Sequence, residues 1–254
     1  MEIVITLIFI TAIIFAVRFL ATNKKPVVKQ PVIAIEKDVV AILFYQKLSS
    51  GDKAKFLKEV NAFLQKVIIT AVNTVITDSD KILVAVSAVI PMFSFEGWEY
   101  PHLEEVLLYN DHFNMEFETD GKNDRNIMGL VGTGVYKNKM LLSKPALVEG
   151  FSNKTDKKNT TIHEFVHLVD GADGDIDGVP EILMDKKYVL PWINLIHAEM
   201  EKMKDKQSDI DPYGYTNKGE FFAVVAEYFF ERPDLFKDKH PGMYKRMQEI
   251  FKTK

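Results

Sequence analysis

The feature that most constrains this chain is an H-E-x-x-H pattern at residues 163–167. In a helix, residues four positions apart lie on one face about one turn apart, so the imidazoles of His163 and His167 can reach the same metal ion. Glu164 follows the first histidine directly, and its carboxylate can accept a proton from a water molecule that the metal activates. The pattern therefore predicts a helix that carries two zinc ligands and a general base.

The surrounding residues favour this site over an amphipathic helix with two partly buried histidines. The neighbours in the helix are apolar: Ile162, Phe165, Val166, Leu168 and Val169. Burying three polar side chains among them costs free energy unless those side chains are paired or bind a metal. Thr160 and Thr161 are expected to cap the helix. Asp170 follows His167 by about one turn, and its carboxylate is expected to orient that imidazole without binding the metal itself.

Composition limits which sites the chain can build. Its 254 residues, 47% of them apolar and 27% charged, suffice for one large or two modest globular domains. The net charge of −4 gives no reason to expect direct nucleic-acid binding. The chain has no cysteine, which excludes disulfides, thiolate zinc sites and cysteine nucleophiles. Any metal must therefore be held by His, Asp or Glu.

The amino-terminal residues predict a membrane anchor. Residues 3–21 form a nearly unbroken apolar run, long enough for a helix that spans the bilayer. We expect a single transmembrane helix at 1–22, a juxtamembrane linker at 23–37 and one catalytic domain at 38–254.

Charges around the apolar run predict its orientation. Arg18, Lys24, Lys25 and Lys29 lie at or after its end, whereas only Glu2 precedes it. By the positive-inside rule, the catalytic domain is expected to be cytoplasmic, anchored to the inner membrane. The alternative is an export signal, cleaved or uncleaved, followed by a periplasmic domain; the absence of a basic residue before the run and of a clear cleavage site disfavours a cleaved signal peptide.

Hydrophobic periodicity predicts a mostly helical domain. The predicted helical segments are 56–68, 78–90, 160–170, about 186–204, about 218–231 and about 233–251. The second of these is expected to be capped by residues 78–80 and ended by Pro91. Short β-prone segments occur at 105–108, 113–117 and 135–142. We therefore expect an α+β, zincin-type metallopeptidase domain that is mostly helical and has a small mixed sheet.

The segment before the metal helix has two open interpretations. Gly129, Gly132 and Gly134 lack the full phosphate-binding fingerprint and are expected in turns or close backbone contacts. Residues 136–143 read as a strand. This strand is either an edge to which a peptide substrate adds or an ordinary member of the sheet.

Other polar motifs are weaker. Residues 173–178 match the start of an EF-hand loop, but Met184 occupies the position where calcium needs a bidentate glutamate. A turn-rich loop after the metal helix is the better interpretation. Four histidines have no partner at ligand spacing and are expected to be ordinary polar residues: His102, His112, His197 and His240.

A third metal ligand must come from elsewhere, since a catalytic zinc usually has three protein ligands and one open position. The best candidates lie within 211–230, where Glu220 and Glu227 are seven residues apart and share one helical face. Because the neighbouring residues of the helix are apolar, we do not expect these two glutamates to be ordinary solvent-exposed side chains. The spacing leaves both glutamates as candidate ligands.

The chain resembles the Mlc titration factor A (MtfA) family of zinc-dependent peptidases. The resemblance rests on the motifs at 163–170, 177–180, 211–213 and 220–230, and it extends over roughly residues 40–250. It does not include the amino-terminal apolar run. The family is in turn similar to the catalytic domain of anthrax lethal factor, which carries a similar Tyr-Gly-x-Thr-Asn…Glu-Phe-Phe-Ala run.

This resemblance implies roles for three residues. Glu220 would be the third zinc ligand, the Tyr213 hydroxyl would stabilise the oxyanion, and Glu227 would hold a ligand histidine in place without binding the metal. The resemblance also implies peptidase or aminopeptidase activity and binding of a transcriptional repressor. Two hypotheses follow: a membrane-anchored zinc peptidase that acts on peptides or proteins, and a regulatory protein that sequesters a repressor, with hydrolysis secondary.

Overall fold

The computed structural model describes residues 35–114, 118–119, 127–132, 134–153 and 155–253, and one compact unit holds all of them. The predicted membrane helix and most of the predicted linker lie outside these ranges. Within them, no helix combines the length and the apolar character that crossing a bilayer requires.

A small mixed sheet lies against the helix that carries the H-E-x-x-H residues. Its strands are β1 (Ile68–Val72), β2 (Glu105–Tyr109), β3 (Gly129–Val131) and β4 (Lys139–Ser143). Their order is β1-β2-β4-β3, with β1, β2 and β4 parallel and β3 antiparallel to β4. Successive side chains of β2 and β4 point to opposite faces of the sheet, and both faces are apolar. One face packs on the helices, and the other forms a smaller cluster around Phe113.

Helices form most of the described chain. They are α1 (Glu36–Val39), α2 (Leu43–Lys47), α3 (Ser50–Lys66), α4 (Asp78–Met92), α5 (Lys144–Ser152), α6 (Thr160–Asp170), α7 (Lys186–Lys204), α8 (Lys218–Glu231), α9 (Pro233–Lys239) and α10 (Pro241–Ile250). The metal helix α6 packs against α4, α8 and strand β3. This position places its polar residues between the sheet edge and α8.

The α+β, mostly helical architecture with a small mixed sheet is confirmed, but several local predictions were wrong. Ile68, expected at a helix end, begins strand β1, because Val67 already has an extended backbone. Helix α4 continues through Pro91 for one residue, since a proline in the last turn removes a single backbone donor. Thr77 caps that helix through a reciprocal capping box with Asp80.

The β-prone middle was predicted in part. Strand β2 lies where expected, and β4 begins later than expected because residues 134–136 form a 3₁₀ turn. Phe113 forms an isolated antiparallel bridge with Ile127, and Asn114 does not belong to a strand. Residues 115–117 of the predicted 113–117 strand lie outside the described residues. Helix α5 and strand β3 were missed. Strand β4 is internal to the sheet, so the edge beside the metal helix belongs to β3.

Candidate metal centre

Helix α6 brings two imidazoles together. Asn159 caps it by accepting the backbone N–H of Ile162 at 3.1 Å, so the predicted caps, Thr160 and Thr161, lie inside the helix. The Nε2 atoms of His163 and His167 are 3.0 Å apart, and both side chains are buried. The i, i+4 spacing therefore places the two rings as predicted.

Helix α8 supplies a carboxylate at the same point. Its cap, Asn217, accepts the N–H of Glu220, which fixes the first helical turn beside α6. Glu220 Oε2 lies 2.9 Å from His163 Nε2 and 3.3 Å from His167 Nε2. Among the described residues, this is the one group of three or more His, Asp or Glu side chains whose ligand atoms converge within 4.8 Å.

These donor positions fit a tetrahedral metal. Bonds of about 2.0–2.1 Å in tetrahedral geometry place neighbouring ligand atoms about 3.3 Å apart, close to the separations of 2.9, 3.0 and 3.3 Å seen here. Burial lowers the pKa of His163, but hydrogen bonds to Glu220 and Glu227 outweigh it and raise that pKa above its ordinary value. The surroundings of His163 thus favour positive charge, as a cation site requires.

Glu227 holds His163 from the other side of the ring. Its Oε1 lies 2.7 Å from His163 Nδ1, and its Oε2 accepts the backbone N–H of Asn159 at 2.5 Å. A carboxylate on Nδ1 keeps the proton on that nitrogen and leaves the Nε2 lone pair free for a metal. The two candidate glutamates therefore occupy different positions, with only Glu220 at the convergence of the two Nε2 atoms.

Glu164 lies in a tight space beside strand β3. The side chain is buried, and a Cβ built on Gly129 would lie 2.5 Å from its Cγ and 2.7 Å from its Oε1. Burial raises the pKa of the Glu164 carboxyl, while the neighbouring histidines oppose that shift. Only glycine leaves room at position 129 for the carboxylate, which confirms the close-contact interpretation of that residue.

Tyr213 flanks the site on a 3₁₀ turn, Pro212–Tyr215. Its ring centre lies 6.0 Å from that of His163, and 55% of the residue is exposed. Partial burial raises the pKa of its hydroxyl, and the charges of Glu220 and Glu164 raise it further. The hydroxyl therefore stays protonated and can donate a hydrogen bond.

Asp170 does not make its predicted contact. Its Oδ2 accepts the N–H of Gly178 at 2.7 Å and thereby closes the loop after α6. Within the described chain, Asp170 Oδ1 and His167 Nδ1 are both buried without a hydrogen-bond partner. Burial raises the pKa of Asp170 to about 7. The structure shows Asp170 closing the loop instead of contacting the imidazole.

Sequence comparison identifies the protein's family. The profile of the glucose-regulated metallo-peptidase M90 family matches residues 20–252. The chain belongs to this family. The M90 profile and its relatives together mark the chain as a metallopeptidase of the Mlc titration factor A group.

Three relatives of this M90 metallopeptidase illustrate the range. An uncharacterized protein of Synechocystis sp., slr2042, is 28% identical over 218 residues, which cover 82% of this chain and 79% of the relative. Mlc titration factor A of Serratia proteamaculans is 26% identical over 231 residues, covering 85% and 86%. The same-named protein of Salmonella arizonae is 27% identical over 233 residues, covering 85% and 89%.

Proposed function

We propose that this M90 metallopeptidase is a zinc-dependent peptidase with His163, His167 and Glu220 as its metal ligands. The observation that carries the proposal is the convergence of their ligand atoms within 4.8 Å, with Glu164 buried beside them. Two imidazoles and one carboxylate form a ligand set typical of catalytic zinc in peptidases. Three protein ligands leave the open position that substrate hydrolysis needs.

Each residue of the proposed site has its own role in the reaction. When bound, zinc supplies Lewis acidity, which makes a water molecule acidic near neutral pH and polarises the scissile carbonyl. Glu164 accepts the proton of the attacking water, and its buried carboxyl then passes that proton to the leaving amine nitrogen. The Tyr213 hydroxyl donates a hydrogen bond to the carbonyl oxygen as negative charge develops there. Glu227 keeps the His163 ring oriented throughout.

Strand β3 is the best candidate for substrate binding. It is an edge of the described sheet, and its first residue, Gly129, touches Glu164. An extended peptide that adds to this edge would place its backbone beside the general base. The resemblance also suggests a preference for free amino termini. That narrower specificity predicts that acetylating a peptide's amino terminus abolishes its cleavage.

Glu164→Gln tests the peptidase proposal. The amide has nearly the same shape but cannot accept a proton, so peptide cleavage should fall to background while zinc remains at about one per chain. Metal analysis and a peptide-library digest of the purified full chain measure both quantities. Cleavage by this variant at the wild-type rate would overturn the proposed mechanism.

A second candidate function is the binding of a transcriptional repressor. It is favoured by the name of the Serratia and Salmonella relatives, which describes them as titrating Mlc. Glu164→Gln separates the two functions, because repressor capture should survive in a variant that has lost hydrolysis. Repressor binding that disappears together with cleavage would mean that binding depends on catalysis.

We also propose that residues 3–21 anchor the protein in the inner membrane with the peptidase domain in the cytoplasm. The support is the cluster of positive charges after the apolar run, Lys24, Lys25 and Lys29 among them. A reporter fused after Lys254 that works only in the cytoplasm should be active. A signal only from a reporter that requires export would overturn this topology, and a cytoplasmic repressor would then be out of reach.

A further inference from the structure

The two tyrosine side chains of the turn that carries Tyr213 are largely outside the apolar core. Tyr213 and Tyr215 are 55% and 44% exposed, whereas the buried residues nearby are Ile210 and Gly214. Burial of the tyrosine rings therefore does little to fix the position of the Tyr213 hydroxyl. The backbone of the turn packs on helix α8 through Gly214, which lies against Phe221 and Val224. Polar contacts connect the turn to the segment that precedes α6.

Asp211 organises the turn locally. Its Oδ1 accepts the N–H of Tyr213 at 2.9 Å, and its backbone carbonyl accepts the N–H of Gly214 at 3.0 Å. These two bonds shape the start of the turn. They do not by themselves place the turn against the metal helix.

Two consecutive lysines make that connection. Lys158 Nζ lies 2.7 Å from Asp211 Oδ2, and Lys157 Nζ donates to both the carbonyl and Oδ2 of Asp209 at 2.6 Å. The next residue, Asn159, caps α6 and holds Glu227. The segment 157–159 thus contacts the Tyr213 turn and the start of the metal helix within three residues.

We propose that Lys158 is a positioning residue for Tyr213. Its ion pair joins the residue that caps the Tyr213 turn to the segment that caps α6, so it sets where the tyrosine hydroxyl lies relative to His163. Lys158 does not touch the metal ligands, and it acts through Asp211. This inference rests on the proposed function, because it assigns a role to Tyr213 in that reaction.

The test compares turnover in four variants of the full chain. Lys158→Met keeps the apolar stem and removes the charge. Asp211→Asn keeps a capping oxygen for the turn but breaks the ion pair. Lys158→Arg restores the positive charge. Lys47→Met is the matched control, because it breaks a long-range ion pair with Asp234 in which the lysine side chain is similarly exposed.

We expect Lys158→Met and Asp211→Asn each to lower kcat about 3- to 30-fold with KM nearly unchanged, since a misplacement of about 1 Å can cost about 10²-fold. Lys158→Arg should recover most of the loss, and Lys47→Met should match wild type. All four should keep their zinc. Their Tm values should fall by less than about 3 °C, because exposed ion pairs contribute little to stability.

Coupling to Tyr213 separates positioning from a general structural effect. Tyr213→Phe should lower kcat by about 10²–10³-fold, the usual cost of one oxyanion donor. In that background, Lys158→Met should cost less than about twofold more, because the hydroxyl it positions is already absent.

Four outcomes would overturn the inference. Wild-type kcat in Lys158→Met beside an impaired Tyr213→Phe would show that the ion pair positions nothing. Loss in Lys158→Met but not in Asp211→Asn would show that the lysine acts by its charge alone. Wild-type turnover in Tyr213→Phe, or no hydrolysis by the wild-type chain, would remove the proposed reaction step and this inference with it.

Discussion

His163 and His167 lie on a helix that is buried along nearly its whole length, whereas Tyr213, which flanks the same site, lies on a turn that leaves it 55% exposed. The α6 backbone is held by apolar packing against α4 and α8. The Tyr213 turn packs on α8 through Gly214. A side-chain cap and ion pairs connect it to a segment more than 50 positions away in sequence.

The difference concerns what fixes a functional group in space. In the helices, a close-packed core sets the position of each proposed ligand, and the Glu227 carboxylate then orients the His163 imidazole. In the turn, the exposed Tyr213 side chain depends more on charged and polar contacts, and solvent weakens such contacts. We therefore expect substitutions in the helices of the site to cause large losses of zinc binding or peptide cleavage. Substitutions in the polar contacts of the turn should cause smaller losses of activity.

The largest effect should come from removing a metal ligand. Glu220→Ala should strip most of the zinc from the purified protein, because two imidazoles alone leave an incomplete site. Glu227→Ala should retain more zinc, since it removes only the partner of His163 Nδ1, and losing a carboxylate that orients a ligand histidine typically costs about 10–100-fold in metal affinity. Zinc titration against a competing chelator measures both. The reverse ranking would make Glu227 the ligand.

Adding a single methyl group at Gly129 tests how tightly the packing beside Glu164 fixes that side chain. In Gly129→Ala, the new Cβ would lie 2.5 Å from Glu164 Cγ, so the Glu164 side chain, the proposed general base, must move. We expect cleavage to fall about 10²-fold, the cost of a misplacement near 1 Å, with zinc content unchanged. The loss should exceed that from breaking the whole Lys158–Asp211 ion pair, which would sharpen the contrast between core and turn.

Gly51→Ala is the control for this substitution. Gly51 lies in helix α3, and a Cβ built there meets nothing within 4 Å. This variant should cleave peptides at the wild-type rate. If Gly129→Ala also does so, the space beside Glu164 is not fixed by packing, and the proposed contrast between the two halves of the site fails.

The same contrast explains what the sequence could predict. The spacing of His163 and His167 fixes their relation because a helix has a constant period, and no other part of the fold is needed. The third ligand was different. From the spacing alone, Glu220 and Glu227 were equally good candidates for the third ligand. Which of them faces the two histidines depends on how α8 packs against α6, and only the family resemblance favoured Glu220.

Features that depend on distant partners were predicted least well. Strand β3 contains only three residues and exists because it pairs with β4, so it has no periodic signal of its own. Asn159 was missed as the cap of α6 because two threonines follow it, although asparagine is among the best capping residues. The Lys158–Asp211 pair joins segments 53 positions apart in sequence, and nothing local marks either residue as a partner of the other.

The smallest expected effect is a change in folding stability, and it tests the polar contacts of the segment that precedes Tyr213. Burial raises the pKa of Asp209, but hydrogen bonds from Lys157 and His240 outweigh it and lower that pKa to about 2, from 3.8. A depressed carboxyl pKa stabilises the fold fully above about pH 4, and this contribution is lost as the pH falls through about 2. Asp209→Asn should therefore be less stable than wild type at pH 7, by about 1 kcal/mol or less because the group is partly exposed.

Urea unfolding at pH 7, 4 and 3 measures how this difference changes. The gap between wild type and Asp209→Asn should narrow as the pH falls below about 4, because the Asp209 carboxylate of the unfolded wild-type chain then takes up a proton, which favours unfolding, while the amide of the variant does not titrate. Asp234→Asn is the control, since its side chain is 96% exposed and should give no gap at any pH. A gap for Asp209→Asn that is as large at pH 3 as at pH 7 would mean that the segment before Tyr213 is held by shape and neutral hydrogen bonds. In that case the turn would be positioned by packing, as the metal helices are, and the distinction between the two halves of the site would not hold.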